Sequence, residues 1–275
     1  MEQRISSSQS PIALTKGLWR NRDLILQLVR RDVAGRYKGS VFGILWSLVN
    51  PIVLLTVYTL VFSVVFQAKW GTGDESRAQF ALQLFAGMIV HGLFCETLQR
   101  APTLIMSNVS YVKKIVFPLE VLPVVTVGTT AFHAAVSLVV LTLALLLVTG
   151  SIPLAVVFVP VVLAPLMVMS LGFAWLLSSL GVYLRDVAQP ISLITTILLF
   201  ASPVFYPASS LPEYIQPWLL LNPLTYIIGQ LRDVMIAGSL PDFGGLAIYS
   251  VVSIAVAWMG GAWFQKTRAG FANVL

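Results

Sequence analysis

The chain has 275 residues, of which 57% are hydrophobic and only 10% charged, and its mean hydropathy is +0.88. A soluble domain carries roughly a quarter charged residues, so the composition points to an integral membrane protein. The net charge of +6 and the single cysteine, Cys95, exclude an internal disulfide and a Cys-based metal cluster, and leave the basic excess to be explained by where it lies.

The first 40 residues are polar and basic, too long and hydrophilic for the n-region of a cleavable signal peptide. Met1 is therefore expected to stay on the chain, on the cytosolic side. Within this region, KGLWRNRDLILQLVRRDVAGRYKG places Leu18, Ile25, Val29 and Val33 at helical spacing, with Leu26 and Tyr37 alongside. Arg20, Arg30, Arg31 and Arg36 take much of the remainder, which predicts an amphipathic helix in the interface plane. Gly39 can end it, and Ser40 can open the first span. A passive anchor on anionic lipid and a partner-binding helix are both open readings.

Six apolar runs follow at the length a bilayer demands, roughly 20 residues each. They cover about 41–66, 80–99, 119–149, 153–183, 188–206 and 244–264. They are apolar all round, which argues for helices and against a barrel of alternating strands. The predicted architecture is an all-α integral membrane protein of six transmembrane helices. Its organisation is a cytosolic N-terminus over 1–40, a six-span domain over 41–265 and a cytosolic tail over 266–275. Asn50-Pro51 sits inside the first span and predicts a kink there. The third and fourth runs exceed what a bilayer needs, so they tilt or project.

Between the second and third spans lies APTLIMSNVSYVKKIVFP. Its Leu104, Ile105, Val109 and Val112 can form an apolar docking face on a short cytosolic helix, with Lys113 and Lys114 at its end. The alternative is a loop packed on the ends of the spans. With the N-terminus inside, fourteen of the seventeen Lys and Arg residues fall on cytosolic segments. The positive-inside rule then places both termini in the cytosol, and the basic excess is a topology signal before it is a nucleic-acid signal.

The stretch SPVFYPASSLPEYIQPWLLLNPL carries five prolines in a largely apolar setting. Broken backbone at membrane depth is tolerated only where protein or a water-filled cavity satisfies its polar groups. Residues 207–240 are therefore read as a re-entrant hairpin on the outer face. One helix is expected over about 211–221, with Pro212 in its first turn. A second is expected after Asn222-Pro223 and is closed by Gly238. Such an element has the form of a pore gate; an external loop on the membrane surface is the alternative.

Catalytic chemistry is thin. No GxxxxGK[ST] loop is present, and no lysine follows a glycine, so the chain cannot cradle nucleotide phosphates in the P-loop manner. HExxH and GxSxG are absent as well. His91 and His133 lie in different spans without a local ligand cluster. Glu96 and His91 are five positions apart and do not share a helix face, which weakens a proton relay. The aromatics Trp46, Tyr58, Phe62, Phe66, Phe200 and Tyr206 suit an interfacial belt and core packing. Any of them that faces a pore can instead stack on sugar rings.

The blocks RDVAGRYKGSVFGILWSLVNPIVLLTVYTLVF, NVSYVKKIVFPLEVLP, SPVFYP and LNPLTYIIGQLRDVMIAG occur here in this order. Together they resemble the membrane subunits of ABC exporters for cell-envelope polysaccharides. That family includes O-antigen permeases, with capsule and teichoic-acid exporters as relatives. The resemblance runs from about residue 17 to the C-terminus and departs in the 67–79 loop and the first dozen residues. It implies a homodimer in the cytoplasmic (inner) membrane with two copies of a separate ATP-binding subunit docked beneath.

The same resemblance implies that the N-terminal helix, with Arg22 and Arg30, and the 101–116 segment form the docking surface. It makes Pro207, Pro212, Trp218, Pro223 and Tyr226 parts of an exit gate. The substrate it implies is a polysaccharide on a polyprenyl diphosphate, moved by a permease and not by an enzyme. No cofactor or metal is expected in this chain, since ATP and Mg would be bound by the partner. Arg36 and Lys38 stand where a diphosphate would meet the inner interface, and charge-assisted bonds to it are expected there. A permease for a small molecule or lipid shares this architecture and is the nearest rival. An ion-coupled carrier and an enzyme acting on polyprenyl lipids are more distant ones.

Overall fold

The structure is a computed structural model that describes residues 11–61, 77–113, 117–219 and 221–275. Phe62, Phe66 and the end of the first expected span lie outside the described residues. Every regular element among the described residues is helical. Five helices are long and apolar enough to cross a membrane: Gly43–Val61, Ala78–Thr103, Val121–Thr149, Leu154–Tyr183 and Phe243–Val274.

The N-terminal segment folds as two helices, α1 (Pro11–Arg20) and α2 (Arg22–Arg36). Of the expected stripe on α2, Val33 is buried, Ile25 and Val29 are half-buried and Leu26 is exposed, while Leu28, outside that stripe, is the other buried position. Gly39 follows three residues later with φ +86, a left-handed conformation that suits glycine. The first long helix contains α3 (Trp46–Tyr58), with Pro51 buried inside it and a π-helical turn after it. A proline without an N–H explains the expected kink in physical terms.

The central helix is α4 (Arg77–Arg100), whose Leu84, Ala86 and Val90 are fully buried. It packs along α6 (Val121–Thr149), where Thr97 and Thr130 hydroxyls meet at 2.9 Å. Since Thr130 lies nine residues into α6 and Thr97 three residues from the end of α4, α6 projects beyond that end by about 9 Å at 1.5 Å per residue. The N-terminal helix α2 rests on this projection, through Leu28 against Val121 and Val125.

The tightest pair is α7 (Val159–Tyr183) and α11 (Phe243–Thr267). A Cβ on Gly172 would lie 2.6 Å from the Val256 carbonyl, so only glycine permits this approach. In lipid, apolar burial does not drive helices together, and small residues that let backbones touch take its place. The two helices run parallel, because Tyr183 donates to the Thr267 carbonyl at 2.8 Å and Ser179 lies 2.6 Å from the Thr267 hydroxyl.

Three expectations are corrected. The fifth run, 188–206, is helical only over α8 (Ala188–Ala201), 14 residues. At 1.5 Å per residue that is about 21 Å, short of a ~30 Å hydrocarbon core. Pro203 pushes Ser202 into extended backbone, with ψ 151, and the helix stops. The expected helix over 211–221 shrinks to α9 (Gln216–Leu219) after a turn at Ala208–Ser210. The Pro212 carbonyl instead closes a turn by accepting from Ile215 and Gln216. Finally, 101–113 is not one helix. It is two 3-10 turns followed by α5 (Val109–Val112).

The second half of the proline-rich region matches expectation. Asn222 caps α10 (Pro223–Arg232), its side chain accepting from the Leu224 N–H, and Pro223 occupies the first turn. A π-helical turn, Asp233–Ala237, leads to Gly238, which ends the element at φ +73. Leu224, Ile227, Ile228 and Leu231 are fully buried among α4, α7 and their neighbours. The chain closes with α12 (Phe271–Val274), where Phe271 is buried against Phe264.

Candidate functional site

A cavity of about 280 Å³ opens between the end of α2 and helices α3, α4 and α6. Its polar wall holds Arg36, Tyr37, Asn50, Glu96 and His133, and its apolar wall includes Pro51 and Tyr58. Arg36 donates to Glu96 at 2.7 Å. Arg100 donates to Asp32 at 2.6 Å and stands 3.8 Å from Glu96. Two guanidinium groups and two carboxylates therefore cancel. Arg36 is 47% exposed, and this bond uses one of the five N–H donors that a guanidinium presents. An anion entering the cavity would meet the remaining donors, with Glu96 competing for the group.

Tyr37 and His133 form the inner wall, the hydroxyl 3.4 Å from Nδ1 and the rings edge-on at 6.0 Å. Burial pushes the Tyr37 phenol above its ordinary value, with Arg36 opposing and Glu96 adding. His133 Nε2 is buried and has no hydrogen-bond partner among the described residues. The proton relay is not assembled, since His91 Nε2 faces the Thr195 carbonyl at 3.1 Å while Glu96 faces Arg36.

A second polar centre sits where α8 breaks off. Arg232 is 8% exposed and reaches three backbone carbonyls: Gln83 at 2.9 Å, Pro203 at 2.7 Å and Val204 at 2.9 Å. The Pro203 and Val204 carbonyls lie just past the end of α8 and have no helix partners, while the Gln83 carbonyl belongs to α4 and ties this turn to that helix. Asn222 adds a bond to the Ser202 hydroxyl at 2.8 Å. Tyr249 donates to the Pro223 carbonyl at 2.8 Å, and Gln230 accepts from the Asp242 N–H at 2.7 Å. A cavity of about 210 Å³ lies beside this centre and includes Pro207, Thr225 and Arg232.

The residues expected to act together are only partly gathered. Arg36 and Tyr58 share the first cavity, while Lys38 is exposed and outside its walls. Trp46 is half-exposed and meets Phe42 edge-on at 5.8 Å. Phe200 is exposed and stacks on Phe205 at 5.7 Å, and Tyr206 donates to the Phe200 carbonyl. Of the expected gate residues, Pro207 lines the second cavity and Pro223 opens α10. Tyr226 donates to Asp242, and Pro212 and Trp218 are exposed. Ile105 is fully buried against Leu14, Trp175 and Phe264, so it has no surface to offer a partner. Leu104, Val109 and Val112 are half-buried, and Lys113, Arg22 and Arg30 are exposed.

The sequence marks Arg31 only as one of several polar-face arginines and gives no sign of Tyr111. Arg31 donates to the Tyr111 hydroxyl at 2.7 Å and lies over its ring, joining α2 to α5. Arg232 was read only as an outer-face charge. A lone arginine inside the apolar run LTYIIGQLRDVMIAG is the signal that marks it, because such a charge needs partners.

The model of the family described as ABC-2 type transporter matches residues 23–236. This chain belongs to that family. It is a membrane component of a transport system, and membership implies a partner ATP-binding subunit. Two relatives extend the match over nearly the whole chain. The O-antigen export system permease protein RfbA of Myxococcus xanthus is 29% identical over 265 residues, covering 95% of this chain and 99% of the relative. A protein of the same name from Klebsiella pneumoniae is 26% identical over 255 residues, covering 92% and 95%.

Proposed function

We propose that this ABC-2 family member is the permease subunit of an ATP-driven exporter of polyprenyl-diphosphate-linked polysaccharide, O antigen or a similar glycan. The observation that carries the reading is the match to O-antigen export permeases over 92–95% of the chain. The chain supplies no P-loop, so ATP and Mg are assigned to the partner subunit. The cavity of about 280 Å³ is too small for a polysaccharide, which supports a path built between two copies. Helices α3 and α8 carry exposed apolar faces for that role, including Ile52, Val53, Leu193 and Ile197.

The parallel run of α7 and α11 supports six crossings. The chain must return across the membrane between them, and α8 with the turn at Pro203 makes that return. Residues 207–238 then lie as a re-entrant gate on the outer side, its α10 buried among the spans. The basic excess sets that side as outer, with both termini in the cytosol of the inner membrane. Arg36 serves the diphosphate once Glu96 yields it, with Lys38 near the entrance. The exposed residues of α2 and of 101–113 face the ATP-binding subunit.

Deletion of the gene tests this reading. Lipid-linked polymer should accumulate on the cytosolic side and be lost from the surface. Unchanged surface glycan in a strain with no second exporter would overturn the substrate and favour a small molecule or lipid.

A further inference from the structure

A groove of about 360 Å³ runs between α1, α7 and α11, away from both polar centres, and its walls are almost wholly apolar. Leu14 and Leu18 of α1 form one side, Leu171 and Trp175 of α7 its floor, and α11 the other side. On α11 the lining runs from Ile254 to Gln265. Eleven residues at 1.5 Å each make about 16 Å, half of a ~30 Å hydrocarbon core and hence one leaflet deep.

The stripe Ile254, Trp258, Ala262 recurs every fourth residue, and the next position on it is Lys266. On α1, Lys16 follows the lining residue Thr15. Both lysines are exposed, and neither makes an ion pair among the described residues. The neighbouring Arg268 is neutralised by Glu120 at 2.9 Å, so Lys266 is left as the uncompensated charge at that end of α11. Trp19 is exposed on α1, as amphipathic rings are at headgroup level, while Trp258 stands deeper along the groove, eight residues from Lys266.

We propose that this groove is a binding site for an anionic phospholipid of the inner leaflet. One acyl chain lies along Leu14, Leu18, Trp175 and the α11 stripe, and the phosphate is held by Lys16 and Lys266. The apolar length and the paired positive charges at one end are complementary to that ligand and to no water-soluble anion. Charge at a membrane surface is worth about fivefold in anionic-lipid affinity for each lysine. The bound lipid would also tie α1 to the ends of α7 and α11, to which Leu14 contributes by packing 3.2 Å from the Cβ position of Gly261.

The test is native mass spectrometry of the purified chain with phosphatidylglycerol and phosphatidylcholine at equal concentration. The wild type should retain phosphatidylglycerol about twentyfold over phosphatidylcholine, with Lys16→Gln/Lys266→Gln close to equal and Arg185→Gln as wild type. Filling the groove with Ala262→Trp should remove the retained lipid. Equal retention of both lipids by the wild type would overturn the proposal. So would a loss in Arg185→Gln as large as in the double variant, since that reports general charge and no site. If Ala262→Trp instead splits a dimer, the groove is a subunit contact and the proposal fails.

Discussion

The two polar centres hold their arginines in opposite ways. Arg36 is half-exposed and bound to a carboxylate, a partner that another anion can replace. Arg232 is buried and bound to three backbone carbonyls, which cannot leave. A side-chain ion pair at a cavity mouth is worth little and can be exchanged. A guanidinium that satisfies broken backbone inside a bundle is structural, because its removal strands several buried acceptors at once. The first arrangement suits a step in transport, and the second suits the frame that holds an exit element in place.

The largest effect is expected from Arg232→Leu. The two carbonyls past the end of α8, Pro203 and Val204, would be stranded at about 1–3 kcal/mol each, which should lower folded yield and the melting temperature in detergent. Arg232→Lys should recover only part, since an ammonium lacks the planar fork that reaches three acceptors. A variant as stable as the wild type would place the support of the 202–204 turn elsewhere.

Next comes export. Arg36→Gln/Lys38→Gln should reduce surface glycan while the complex still assembles, as read by immunoblot and co-purification of the ATP-binding subunit. Glu96→Gln sharpens the contrast. If Arg36 serves the head group, freeing it should preserve export. If the ion pair itself is what matters, Glu96→Gln should fail as the arginine variant does.

A double-mutant cycle on Arg36 and Glu96, read by thermal unfolding, should give a coupling of only about 0.5–1 kcal/mol, because both groups meet solvent. The smallest change is expected from Tyr111→Phe. It removes the exposed Arg31 bond, worth about 0.5 kcal/mol, and should weaken stimulation of the partner's ATPase more than it weakens the fold.

Much of the frame was legible along the chain. Apolar runs of the right length marked five helices able to cross a membrane, and Asn222, Pro223 and Gly238 announced the borders of one short element. These are local signals, set by hydrogen-bond supply, proline geometry and the cost of charge in lipid. Position 105 shows their limit. Ile105 belongs to an apolar spacing that fits a docking face equally well, and only packing against Leu14 and Trp175 turned it inward.

Arg232 shows the same limit from the other side. The sequence by itself determined that a charge sits in an apolar run and that Pro203 breaks a helix. It did not determine that the one repairs the other, 29 residues away. That decision belongs to the tertiary structure, because satisfying a buried carbonyl depends on which donor lies within about 3 Å, and distance in space is not written in spacing along a chain.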